Sequence, residues 1–233
     1  MIFNRDTVLL VVAPHPDDET LGCGGLIQKV NQAEGKVIVA LISSFENKEF
    51  IKWNNYYKTY AVYGFDARKK EIEDAMNVLS FGNGKLCLFD EYGTEKAFTA
   101  KFDELSVSSY VSFIESIVKE DGVNIIAGPT SSYFKDHNII QEATCSVCRP
   151  HFYNGIYLEY SVGNEPGFIP NCYLKLTEEE ANKKVLAFKK HASQVCESLH
   201  CQSVENIVDK MRIYGRSVYS EYAEAYLIKR FVI

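Results

Sequence analysis

Short unbroken apolar runs alternate along this chain with longer stretches whose apolar residues return every three or four positions. Val8–Ala13, Lys36–Ile42, Leu86–Phe89 and Val123–Ala127 are too short for a helix core and rich in aliphatic, largely β-branched residues. They predict strands buried on both faces. Between them, helical spacing predicts Leu26–Ala33, then a helix opening near Arg68 that buries Ile72, Ala75, Met76 and Leu79. It also predicts Ser109–Glu120, closed by Gly122, and Ile139–Val147. Strand, helix and strand within about 40 residues imply right-handed βαβ units, hence an α/β fold with a mostly parallel sheet. Further on, Tyr157–Tyr160 and Asn171–Lys175 read as strands, and Thr177 with Glu180 forms a capping box for a helix reaching about Ala192. Trp53, Tyr56, Tyr57, Tyr60 and Tyr63 recur at helical spacing, which predicts a helix face in the core or an aromatic wall near a site. Ser43–Asn55 and Asp90–Phe102 read as loops, and Ser203–Tyr226 as an amphipathic helical tail with Glu221 and Glu224 on a solvated face.

The first strand runs into Pro14-His15-Pro16-Asp17-Asp18-Glu19. The two prolines end the strand and stiffen the loop around His15. In open α/β sheets ligands bind at the carboxyl ends of strands, so this loop puts an imidazole and up to three acids where a site belongs. Imidazole with carboxylate suits a divalent metal such as zinc. If one aspartate binds the metal, the other is left to accept a proton from a water. The fourth strand is followed by a second loop, Gly128 to Asn138, which contains Asp136-His137. The glycines at 22, 24 and 25 raise a nucleotide-binding alternative. They lack the third glycine of G-x-G-x-x-G and lie well beyond the strand end, where a phosphate-cradling turn should be immediate.

Composition narrows the classes. The chain has 233 residues, enough for one domain spanning 1–233 with the tail at about 203–233, and is 46% hydrophobic and 24% charged. A net charge of −6 leaves no basic surplus for phosphates, so no nucleic acid is expected as a partner. Val8–Ala13 is too short for a secretion signal or a membrane span. The seven cysteines are odd in number and scattered, which fits free thiols and a cytoplasmic location. Only Cys145-Ser146-Val147-Cys148 has metal-pair spacing, and the same spacing describes one face of a helix end.

Ala13-Pro14-His15-Pro16-Asp17-Asp18-Glu19-Thr20-Leu21-Gly22 resembles the A-x-H-P-D-D-E signature of the PIG-L/LmbE-like deacetylases. Those are zinc enzymes that remove the acetyl group from N-acetylglucosamine in larger conjugates. The resemblance extends in order of elements from about residue 7 to about residue 195. It implies a Rossmann-like three-layer sandwich, single-domain, with one zinc per chain, iron being compatible with the same ligands. His15, Asp18 and His137 are the implied ligands, Asp17 the base, and Asp136 the residue that orients an imidazole from behind. The family's H-x-D-H pattern has Phe134 at its first histidine here. A phenyl ring donates no proton, so another group must serve the oxyanion or the leaving amine. By family position His191, in an H-x-S-Q pattern, is the first candidate and Tyr133 the second. Arg68, Glu19, Gln194 and Tyr133 are the implied substrate contacts, with Arg68 and Glu71 matching a family R-x-x-E pair. The implied substrate is a small N-acetylated sugar conjugate, with a homo-oligomer left open. The alternatives are a sugar- or nucleotide-binding module with a vestigial metal site, and an amidase acting on a different substrate.

Overall fold

The computed structural model describes residues 3–42, 50–79, 84–89, 102–163 and 165–232. Seven strands form one sheet in the order β5-β2-β1-β6-β7-β9-β8. β1 (Val8–Ala13), β2 (Lys36–Leu41), β5 (Lys85–Leu88), β6 (Ile125–Pro129) and β7 (Ile156–Tyr160) are parallel. β9 (Tyr222–Arg230) is antiparallel to both β7 and β8 (Cys172–Leu176). Alternate residues of β1 feed two cores. Leu9, Val11 and Ala13 pack with α1 (Asp18–Gln32), α2 (Phe65–Val78) and Ala187 of α5 (Glu178–Phe188). Leu10 and Val12 pack with α3 (Val107–Asp121) and α4 (Lys135–Val147). A third cluster joins α5, α6 (Val204–Ser217) and Leu21 of α1. The result is the expected single-domain, three-layer α/β sandwich with a mostly parallel sheet. β1 lies between β2 and β6, so the chain leaves it in opposite directions across the sheet. Its carboxyl end is the topological switch point.

Several expectations are corrected. The tail is helical only to Ser217, and Tyr222–Arg230 is an internal strand. Glu224, expected on a solvated face, is buried. Its carboxylate accepts from the backbone N–H groups of Gly25 and Leu26 and from Lys184 Nζ, at 2.6–2.9 Å. That pairing lets an acid sit in a strand between two layers. The aromatic run is not a helix. It forms a hairpin, β3 (Phe50–Asn54) with β4 (Thr59–Tyr63), turning at Lys58 with φ 52°. Ile51 and Trp53 pair with Val62 and Tyr60, a period of two that the helical count overrode. The hairpin also replaces the end of the loop expected at Ser43–Asn55; residues 43–49, and 90–101 of the second expected loop, lie outside the described residues. α4 starts at Lys135 rather than Ile139, and α5 ends at Phe188 rather than near Ala192. The capping box of Thr177 and Glu180 is formed as expected.

α1 also starts earlier than its apolar pattern, at Asp18, so the glycines lie inside the helix. They are there for contact with protein, not to cradle a phosphate. A Cβ at Gly22 would meet the Tyr160 ring at 2.1 Å. That ring is buried and its hydroxyl donates to the Val12 carbonyl at 2.7 Å, so it has nowhere to retreat. Gly22→Ala is expected to cost about 1–3 kcal/mol by overpacking, lowering Tm by roughly 2–4 °C per kcal/mol. Gly24→Ala faces the flexible Lys184 stem at 3.0 Å and should cost less. Equal melting temperatures for the two variants would contradict this packing.

Candidate active site

Two strand ends build the site. β1 delivers His15 to Asp18, and β6 delivers the loop that enters α4, with His137 in its first turn. The Asp18 carboxylate turns back to accept the His15 backbone N–H at 2.8 Å. Its Oδ2 lies 3.5 Å from His15 Nδ1 and 3.5 Å from His137 Nε2. The three prospective ligand atoms of His15, Asp18 and His137 all fall within 4.8 Å of one another. Asp136 Oδ2 lies 3.2 Å from the other nitrogen of His15, and Phe102 stacks on the His15 ring at 5.5 Å.

Charged groups of both signs are packed against one another here. Burial opposes a charge on His15, yet its hydrogen bonds to Asp136 and Asp18 outweigh burial and raise its pKa to about 10. Asp18 stays below the ordinary carboxylate range: burial pushes it up, and His137 and His15 more than offset that. Burial first and the Asp18 charge second raise Asp17 to about 7. Two imidazoles and a carboxylate converging beside further buried acids fit a divalent cation such as zinc. His15, Asp18 and His137 would hold it.

Asp17 stands beside this cluster with φ 132°, a conformation costing roughly 1–3 kcal/mol that its surroundings must impose. Those surroundings are the residues of the other sequence motifs. Glu19 Oε2 accepts the Asp17 backbone N–H at 2.9 Å, and Glu19 Oε1 meets His191 Nε2 at 3.0 Å. Arg68 donates to the Pro16 carbonyl and lies 4.0 Å from Asp17 Oδ1. Arg68 also bonds Glu71 at 2.6 Å and Ser193 Oγ at 3.0 Å. Glu71 in turn accepts the Ser193 backbone N–H and hydroxyl at 2.7 and 2.8 Å. The R-x-x-E and H-x-S-Q motifs therefore meet behind Asp17.

Arg68, Glu19 and His191 are fully buried and do not line the cleft. Tyr133 is 82% exposed and also lies outside the cleft wall. Gln194 does line the cleft, as do His15, Asp17, Asp18 and His137. Phe134 lines it too, its ring 5.8 Å from that of His137. The cleft measures about 330 Å³.

Its remaining polar wall was missed from the sequence: His200, Cys201 and Gln202. Gln202 Nε2 donates to Asp17 Oδ2 at 3.1 Å. The Gln202 backbone N–H donates to His200 Nδ1 at 3.1 Å, which leaves Nε2 as the proton-bearing nitrogen of the neutral ring. The available signal was a histidine, one of five in the chain, six positions past Gln194 in a polar loop assigned to nothing. Cys145 is exposed and Cys148 buried at the end of α4. Among the described residues the only cluster placed to hold a metal is His15, Asp18 and His137.

Fold and site together define an α/β protein with an acid-and-imidazole cleft at its switch point, suited to hydrolytic chemistry around a cation. The sequence profile of the PIG-L family, GlcNAc-PI de-N-acetylase, matches residues 10–148, and the chain belongs to that family. The conserved protein TT1542 from Thermus thermophilus is similar in structure, with a TM-score of 0.72 at 18% identity over 97% of this chain and 96% of that one. N,N'-diacetylchitobiose deacetylase from Pyrococcus horikoshii aligns with a TM-score of 0.69 at 17% identity, over 95% of this chain and 83% of that one. The zinc-inhibited form of teicoplanin deacetylase Orf2 gives 0.70 at 15% identity, over 95% and 97%. At these identities the structures share the fold. A sequence search of curated proteins found no match. No helix among the described residues is long and apolar enough to cross a membrane.

Proposed function

We propose that the protein is a metal-dependent N-deacetylase that hydrolyses the acetamide of an N-acetylglucosamine-containing conjugate. The observation that carries this reading is the three-donor cluster of His15, Asp18 and His137 with Asp17 beside it and outside it. Family membership and the deacetylases among its structural neighbours support the same reaction. A divalent cation held by the cluster would polarise the amide carbonyl and acidify a water. Asp17 takes the proton of the water that attacks the acetyl carbon. His200, whose Nε2 carries the ring proton, donates a hydrogen bond to the tetrahedral oxyanion, a task a phenyl ring at 134 cannot perform, and Asp17 passes the proton it took to the departing amine. Acetate and the free amine leave. Glu19, Arg68 and His191 act through Asp17, holding its strained backbone.

An acetate-release screen over N-acetylglucosamine conjugates, with zinc and with ferrous iron supplied, tests the reading. Release from at least one conjugate is expected. No release from any of them, with substrate bound, would favour a binding module instead. His200→Ala is expected to lower turnover by ~10²-fold, the scale of one lost oxyanion donor, while keeping metal. An unchanged rate would remove His200 from the reaction.

A further inference from the structure

Two stretches that hold no metal ligand close the acid cleft. One is His200 to Gln202; the other is Val162 and Gly163, just beyond the end of β7. Helix α6 is fastened to both. Ser203 caps it, and Asn206 Nδ2 in its first turn donates to the Cys201 carbonyl at 2.7 Å. One turn further along, Lys210 Nζ donates to the Gly163 carbonyl at 2.5 Å and to Ser161 Oγ at 3.2 Å. One helix therefore ties the two walls of the cleft together.

Opposite charges hold the Val162–Gly163 wall. Glu165 Oε1 accepts the backbone N–H groups of Val162 and Gly163 at 3.0 and 2.8 Å, and Oε2 accepts the Ser161 hydroxyl. The carboxylate thus takes the donors of this stretch, and the Lys210 ammonium takes a carbonyl. Hydrogen bonds to charged groups are the strong ones, and Gly163 has no side chain of its own to wedge the wall in place. Tyr214 of α6 shares a hydrogen bond with Ser161. Lys184 of α5 and Glu224 of β9 line the same small void as Lys210, already paired with each other at 2.6 Å. That void measures about 20 Å³, room for about one water, so the amine meets protein there and no ligand. Leu21 and Val162 line both this void and the acid cleft. The polar cluster therefore lies directly behind the cleft wall.

We propose that Lys210 and Glu165 are a positioning pair that pins Val162 and Gly163 at the acid cleft and so sets how tightly the cleft holds its substrate. The inference rests on the deacetylation reading only for the identity of that substrate. The pair has a pH signature. Burial pushes Lys210 down to about 8; Glu165 resists, Lys184 adds to the fall and Cys201 resists. Below that pH the ammonium is charged and both halves of the tie are in place. As the pH climbs through it the charge is lost and the tie slackens, so KM should rise between about pH 7 and 9.

Amide hydrogen exchange at Val162 and Gly163 reads the tie without any ligand. It is measured on the metal-loaded wild type, Lys210→Met, Lys210→Arg and Glu165→Gln. The binding probe is N,N'-diacetylchitobiose, followed by KM where acetate is released and by Kd where it is not. Lys210→Met and Glu165→Gln should each speed exchange at the two amides and weaken the probe by roughly tenfold at about pH 7, the scale of one hydrogen bond to a charged group. The loss should fall on KM rather than kcat, with metal content kept. Arginine stays charged at every working pH, so Lys210→Arg should hold KM flat where the wild type climbs. Unchanged exchange and binding in both neutral variants would overturn the proposal, as would a Lys210→Arg protein whose KM climbs like the wild type's. Faster exchange and weaker binding with no acetate release keeps the positioning pair and sinks the deacetylation. Acetate release with all three variants matching the wild type does the reverse.

Discussion

Alanine at His15 or His137 is expected to strip the protein of its metal and take acetate release to background. Each change removes one of three donors that converge within 4.8 Å. Losing a residue that merely supports a ligand already weakens metal sites by about 10–100-fold, so losing a ligand should exceed that. Activity should fall by at least ~10³-fold, because an attacking water without the cation returns from a pKa near 7 toward about 15.7. His15 is partly exposed at the mouth of the cleft, so its truncation should spare the fold. Elemental analysis and circular dichroism on both variants separate metal loss from misfolding. Folded variants that keep full metal would refute the ligand assignment.

The second large effect separates two adjacent aspartates. Asp17→Asn should keep the metal and lose turnover by ~10²–10⁴-fold, the range for a missing general base. Asparagine matches aspartate in shape and in its tolerance of positive φ, so the change leaves the backbone at 132° as it is. Asp18→Asn should fail differently. It leaves the His15 backbone N–H and both imidazoles facing an amide, and it should lose metal first. Metal content and kcat measured on both variants give the answer, and interchanged phenotypes would mean that base and ligand are assigned the wrong way round.

The parallel half of the sheet was legible because buried parallel strands read as unbroken apolar runs, as in β1 and β2. The same runs located the two loops that converge, and the family resemblance picked His15, Asp17, Asp18 and His137 out of them. What was not legible is how polar residues are buried. The family resemblance put Arg68, Glu19 and His191 next to substrate, and nothing local in the sequence says that these charged side chains are buried, since such groups normally sit in water. Here each satisfies another: Glu19 takes the Asp17 amide and the His191 ring, and Arg68 takes Pro16, Glu71 and Ser193. Glu224 misled in the same way. Its partners lie about 200 positions earlier and 40 earlier in the chain, at Gly25, Leu26 and Lys184, and no local pattern encodes them. The hairpin failed for a different reason: five aromatic residues fit a helical period by count, while the pairs Ile51–Val62 and Trp53–Tyr60 obeyed a strand period. His200 and Gln202 lacked any flanking signature, and only the chain's return past Asp17 brings them to the cleft.

Metal titration of the metal-free protein decides whether hydrolysis depends on a cation held by His15, Asp18 and His137. Protein dialysed against chelator is assayed for acetate release from an N-acetylglucosamine conjugate as zinc is added back, with bound metal measured in the same samples. No release is expected without metal, and the rate should climb in proportion to bound metal up to one ion per chain, with the His15→Ala protein flat throughout. Full activity in the metal-free protein, or an equal rise in His15→Ala, would contradict a catalytic metal at this cluster.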